Sequence, residues 1–156
     1  MGIHDSDTNT PNKEFAPEGW HVPTYDEWTT LEQHLVDNGF NYDNSLAGNN
    51  IAKAMASTTG WFNSTEPGAP GNDQIGNNSS GFNAFPLGYL SAFEIDGVFV
   101  SFNGEGNNAI FWSSSASSEG EGTLSLWGRN LYSYISFLDA NAIWLENGNS
   151  VSLVKD

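Results

Sequence analysis

The segment from Thr24 to Gly39 carries both ends of a helix in its own letters. Thr24 stands three residues before Glu27, the spacing of a capping box, and Asp26 adds a second acid to the first turn, where the helix dipole favours it. Trp28, Leu31 and Leu35 then mark one face at i, i+3 and i+7, and Gly39 follows as the stop. The pattern predicts a helix over 24–38. Ile51, Ala54 and Met55 predict a second, shorter helix over 50–57, ended near Gly60. From residue 61 to 81 Gly, Pro, Asn, Asp and Ser dominate, so the chain reads as a long loop. After it the periodicity changes to that of strands, expected at 82–85, 90–94, 98–102, 109–113, 124–131 and 151–154, with Asp96-Gly97 as a hairpin turn. Helices first and antiparallel strands afterwards argue an α+β domain.

Charge narrows the function classes. Three Lys and one Arg face 19 acids, for a net charge of −15 over 156 residues. Four cations make no basic footprint, so nucleic acid is excluded as a partner, and anionic membrane surfaces are disfavoured by the same repulsion. Charged residues are 15% of the chain against about 25% in ordinary domains, so Asn, Ser, Thr and Gly must form much of the surface. With no cysteine there is no disulfide, thiolate metal site or thiol nucleophile. No stretch approaches the roughly 18 apolar residues of a membrane span, and the first residues do not read as a signal peptide. Residues 1–14 read as a flexible polar arm and 15–156 as one domain, opening on a short edge strand between Phe15 and Pro23.

The segment from Tyr132 to Asn147 fits neither hydrophobic period. It mixes Tyr, Phe, Trp, Ile, Asp, Asn, Glu and Ser between a Trp127-Gly128-Arg129 anchor and the closing strand. Such a stretch suits presentation better than burial, because Tyr and Trp offer large contact area at low entropic cost. The candidate ligand-binding residues are Trp127, Tyr132, Tyr134, Ser136, Phe137, Asp139, Asn141, Ile143, Trp144 and Glu146. Leu131 and Leu138 are expected to point inward as supports.

Five motifs occur in order: Pro17-Glu18-Gly19-Trp20-His21-Val22-Pro23-Thr24 with Glu27-Trp28; Thr58-Thr59-Gly60-Trp61; Gly81-Phe82-Asn83-Ala84-Phe85-Pro86-Leu87-Gly88-Tyr89; Phe111-Trp112-Ser113-Ser114; and Gly148-Asn149-Ser150-Val151-Ser152-Leu153-Val154-Lys155-Asp156. Together they resemble the Fibrobacter succinogenes major paralogous domain, a bacterial branch of the C-type lectin-like fold. This group is similar to the variable proteins of diversity-generating retroelements, in which a C-terminal segment displays changing side chains. The resemblance implies a C-type lectin-like, non-enzymatic binding domain, extracellular or on a cell surface, whose residues 132–147 contact a protein or glycan. It implies no cofactor and leaves the oligomeric state open. Four of the six tryptophans, Trp20, Trp28, Trp61 and Trp112, fall on its framework and are expected in the core. Ala16 and Leu153 stand where relatives carry cysteines, which implies that the two residues touch. Ser152 stands where Arg is usual, leaving Arg129 as the one guanidinium.

Two other functions compete. A calcium-dependent carbohydrate-binding lectin would use the 63–81 loop, where Glu66-Pro67-Gly68 approaches a calcium-lectin motif but has Gly in place of an Asn ligand. Asn72, Asp73 and Gln74 supply further oxygens there, yet a tight metal is not expected. An enzyme of the formylglycine-generating kind would need active-site cysteines that this chain lacks. Gly104-Glu105-Gly106-Asn107-Asn108-Ala109 spells a dinucleotide loop only by letters, because a strand follows it instead of a helix. Asp26 and Glu27 are better explained by capping than by acid–base catalysis.

Overall fold

The computed structural model describes residues 16–94, 98–117 and 125–156; the N-terminal arm and the Asp96-Gly97 turn lie outside the described residues. Helix α1, Tyr25–Asp37, begins as its sequence dictates. The Thr24 hydroxyl accepts from the Glu27 amide, and the Glu27 carboxylate accepts from the Thr24 amide at 2.8 Å. Gly39 takes φ +77° just past its end, a left-handed value that favours glycine. Trp28, Leu35 and Val36 are buried along one face and Leu31 packs against them. Helix α2 is only Ala52–Met55, shorter than the expected 50–57.

Among the described residues seven strands follow or flank the helices: β1 Trp20–His21, β2 Tyr89–Glu94, β3 Val98–Asn103, β4 Asn108–Ala116, β5 Ser125–Tyr132, β6 Asp139–Trp144 and β7 Val154–Lys155. They form three small antiparallel sheets, β1 with β7, β2 with β3, and β4-β5-β6. The molecule is therefore α+β. The β2–β3 hairpin forms in the expected place, with Tyr89 opposite Asn103 and Glu94 opposite Val98.

Two expectations need correction. Residues 82–85 make no strand and meet their neighbours through one bridge, Ala56 to Ala84. There the loop backbone serves α2 instead, with Ala84 donating to the Met55 carbonyl at 2.9 Å and accepting from Ser57 at 2.8 Å. The closing strand, expected over 151–154, is only Val154–Lys155, and just before it Gly148 and Ser150 bond Leu90, Ile110 and Trp112. The chain ends do pair, with Trp20 opposite Lys155 and His21 opposite Val154. That register brings Leu153 level with Val22.

The β4-β5-β6 sheet separates two environments, because alternate residues of a strand point to opposite faces. One face carries Ala109, Phe111 and Leu131 into the main core with Trp28, Met55, Trp61 and Leu138. Phe82 meets Phe111 edge-on at 5.4 Å and Trp28 at 5.9 Å. The other face carries a smaller cluster of Ile110, Trp112 and Ile143, flanked by Tyr89, Leu126 and Val151. Trp20 belongs to neither. It is 44% exposed, because a two-residue edge strand has nothing packed over its outer face.

Candidate ligand-binding face

The segment without a readable period is held by its main chain. Ser133 donates its amide to the Asn107 carbonyl and accepts from Gly71, both at 2.8 Å. The Ser136 carbonyl accepts from Ala52 at 3.1 Å, and the Leu138 carbonyl accepts from the Asn49 side chain at 2.7 Å. Residues 139–144 then run as β6 beside β5, with Asp139 opposite Asn130 and Ile143 opposite Leu126. Leu131 and Leu138 are buried beneath, as expected. Backbone groups, the Asn49 side chain and two buried leucines thus supply much of the fixing.

Tyr134, Phe137, Trp144 and Glu146 are exposed, and Tyr132, Ser136, Asp139 and Asn141 are half-buried. The Tyr132 and Tyr134 rings lie 5.8 Å apart. The Tyr132 phenol accepts from the Asn130 amide at 3.1 Å. Burial, opposed by that bond and aided by the Asp139 charge, holds its pKa above the usual value. Asp139 accepts from Asn141 at 2.7 Å.

Two candidates move elsewhere. Ile143 is 7% exposed and packs in the smaller cluster, since it shares its face of the sheet with Trp112 and Leu126. Trp127 has the opposite parity and lies against Tyr25 of α1, with ring centres 5.1 Å apart. Its neighbour Arg129 is buried on the same side, paired with Glu32, 3.2 Å from the Thr29 hydroxyl and over the Tyr25 ring. Trp127-Gly128-Arg129 is thus a clamp between β5 and α1.

On the sheet face away from α1 lies a cleft of about 440 Å³, lined by Tyr89, Asn108, Asn130, Tyr132, Trp144 and Asn149 among others. Sequence reasoning missed Tyr89, Asn108, Asn130, Asn147 and Asn149. The register assembles them: Asn108 lies opposite Tyr132, and Ile110 opposite Asn130. The only signal within reach was the alternation backward from Tyr132 to Asn130. Asn108 Oδ1, Asn130 Oδ1 and both amide atoms of Asn149 are buried without a hydrogen-bond partner. A larger apolar groove of about 580 Å³ runs between α1 and the closing strand, past Trp28, Leu31, Phe82 and Leu153, with no such unpaired atom among its residues.

The 61–81 loop already contains a cation. The Lys53 ammonium from α2 donates to the Asn72 carbonyl, to the Asp73 carbonyl at 2.7 Å and to Asn77 Oδ1 at 3.0 Å. Burial lowers the Lys53 pKa and Asp73 partly offsets this. Gln74 is occupied by the Trp61 backbone, donating to its carbonyl at 2.8 Å and accepting from its amide at 3.1 Å. Among the described residues no three His, Cys, Asp or Glu cluster as a metal site would require.

A profile of the Fibrobacter succinogenes major domain matches residues 5–151. The chain belongs to this family. No curated protein and no solved structure gives a significant match. In this Fibrobacter succinogenes major domain, the motif residues gather mainly on the α1 side of the sheet. Trp28 donates its indole N–H to the Trp112 carbonyl at 3.3 Å, and Trp61 donates to the Ser57 hydroxyl at 3.2 Å. Trp28, Trp61 and Trp112 are all buried. The motif shared by the chain ends supplies a further bridge, in which His21 contacts Glu27 at 2.8 Å and Asp156 at 2.6 Å. The exposed aromatics of 134–144 lie outside the motifs.

Proposed function

We propose that this domain is a non-enzymatic binding module of C-type lectin-like architecture that presents Tyr134, Phe137, Trp144 and Glu146 to a protein or glycan outside the cell or on its surface. The observation that carries this reading is the division of labour in 132–147. Main-chain hydrogen bonds and two buried leucines fix the path, while large aromatic side chains stand exposed. Tyr134 and Trp144 are each 53% exposed and Phe137 41%. Exposed aromatic groups on a fixed backbone provide contact area with little ordering cost on binding. The same division of labour fits a surface whose side chains change while its fold does not.

The test replaces Tyr134, Phe137, Trp144 and Glu146 together by Ser. Exposed positions of this kind change stability by no more than about 0.5 kcal/mol each, so the melting temperature should stay near that of the parent. Binding to any protein or glycan that the parent captures on arrays should disappear. A collapse of the melting temperature would mean that these side chains hold the fold together. A calcium-dependent lectin reading has less support, because Lys53 occupies the loop oxygens that calcium would need.

A further inference from the structure

The cleft behind the exposed aromatics has a chemistry of its own. Asn149 lies there with both amide atoms unpaired, and Asn108 and Asn130 each leave a carbonyl oxygen unpaired. Asn130 is only 4% exposed. Buried amide groups are ordinarily satisfied, so four orphan atoms around one cavity point to a partner that brings both donors and acceptors. No Lys, Arg, Asp or Glu is among its lining residues, while Asp139 stands close by on the same sheet face. With a net charge of −15, phosphates, sulfates and carboxylates are repelled. A quaternary ammonium has no N–H to offer the orphan carbonyl oxygens. Tyr89 and Tyr132 supply aromatic surface beside the amides. The volume of about 440 Å³ lies within the range of roughly 300–1,000 Å³ typical of small-molecule sites.

We propose that this cleft binds an uncharged sugar residue, with no metal ion, through the Asn108, Asn130 and Asn149 amides and the Tyr132 ring. Each sugar hydroxyl offers one donor and two acceptors, which complements an array of carboxamides. The C–H face of a pyranose ring lies naturally on an aromatic ring. The inference rests on the reading of the domain as a binding module and gives the chemical class of ligand for one part of that face.

The experiment titrates the 15N-labelled chain with the methyl pyranosides of glucose, galactose, mannose and xylose in EDTA. At least one should shift the Asn108, Asn130 and Asn149 side-chain NH2 signals, and saturate. Asn149→Leu should weaken that sugar at least tenfold while unfolding at the same or a higher temperature, since it removes an orphan amide. If no pyranoside moves the cleft signals, or if the shifts require calcium, the inference is overturned. It is also overturned if Asn149→Leu binds as well as the parent. Tyr134→Ser with Phe137→Ser separates the two readings, because neither residue lines the cleft. Loss of an array ligand in that variant, with no pyranoside bound by the parent, removes the sugar site and leaves the wider surface. Sugar binding with no effect of that variant on any ligand leaves the cleft and removes the wider surface.

Discussion

Gly128 sits where β5 must be thin. A Cβ there would stand 2.1 Å from Ile143 Cδ1 and 3.1 Å from the Phe111 carbonyl oxygen. Gly128→Ala should therefore push Ile143 off its place against Trp112 and cost roughly 1–3 kcal/mol, as overpacking does. Urea denaturation would measure it. Ile143→Val removes the offending methyl, so the double variant should lose less than the sum of the two single losses; strict additivity would show that the contact is not the cause.

His21 is the residue most exposed to pH. Hydrogen bonds to Asp156 and then Glu27 raise its pKa above 6.5, while Glu27 is lowered below 4.5, mainly by the Thr24 amide. For His21 the stabilisation is complete below pH 6.5 and is lost as pH rises through the raised value. For Glu27 it is complete above pH 4.5 and is lost as pH falls through the lowered value. Together they place the bridge at its strongest between about pH 4.5 and 6.5. His21→Gln should flatten the fall in melting temperature above pH 6.5, and an unchanged profile would remove the bridge from the account.

At the scale of elements, the loop over 61–81 is organised by an amine belonging to α2. Lys53→Met leaves the Asn72 and Asp73 carbonyls and Asn77 Oδ1 without their donor, and hydrogen bonds to a charged group contribute about 1.5–3 kcal/mol each. The variant should lose stability of that order and exchange loop amides faster with deuterium, and added calcium should not restore it. Restoration by calcium would turn the loop back into a metal site.

This loop was visible in the sequence as a loop, but its internal cation was not, because Lys53 and Asp73 are joined only by folding. Helix α1 was legible to within a residue at each end, since Thr24, Glu27 and Gly39 act locally. The 82–85 strand was misread because Ala84 spends its backbone bonds on Met55 and Ser57. Much of the candidate face was legible too, since Leu131 and Leu138 are buried and Tyr134, Phe137 and Trp144 exposed, as their order implied. Ile143 and Trp127 were not, because their sides follow from the parity of a β5–β6 register hidden in an irregular stretch. The Asn residues of the cleft were out of reach for the same reason: Asn108, Asn130 and Asn149 come from three separate stretches.

For the molecule as a whole, the β4-β5-β6 sheet is a partition. Motif residues Trp28, Phe82 and Phe111 bury one another with Leu131 on its α1 side, while Tyr89, Trp112 and Val151 from the same motifs pack on the other. Its other side combines a small apolar cluster with an uncharged polar cleft. Exposed positions such as Tyr134 and Phe137 can therefore vary without reaching the main core.

The pairing of β1 with β7 has one more consequence. The Asp156 amide donates to the Gly19 carbonyl at 3.0 Å, so the two ends of the described domain are neighbours. Topologically the domain is a closed loop with a small gap, and a short linker should bridge residues 156 and 16. Cutting instead between Leu46 and Ala47, where Leu46 is 70% exposed, opens the ring at a surface tip of the kind that tolerates new ends. Such a circular permutant should unfold cooperatively with the parent's circular dichroism spectrum. The same geometry would let the domain be spliced into a loop of an unrelated host, arriving and leaving through a single doorway.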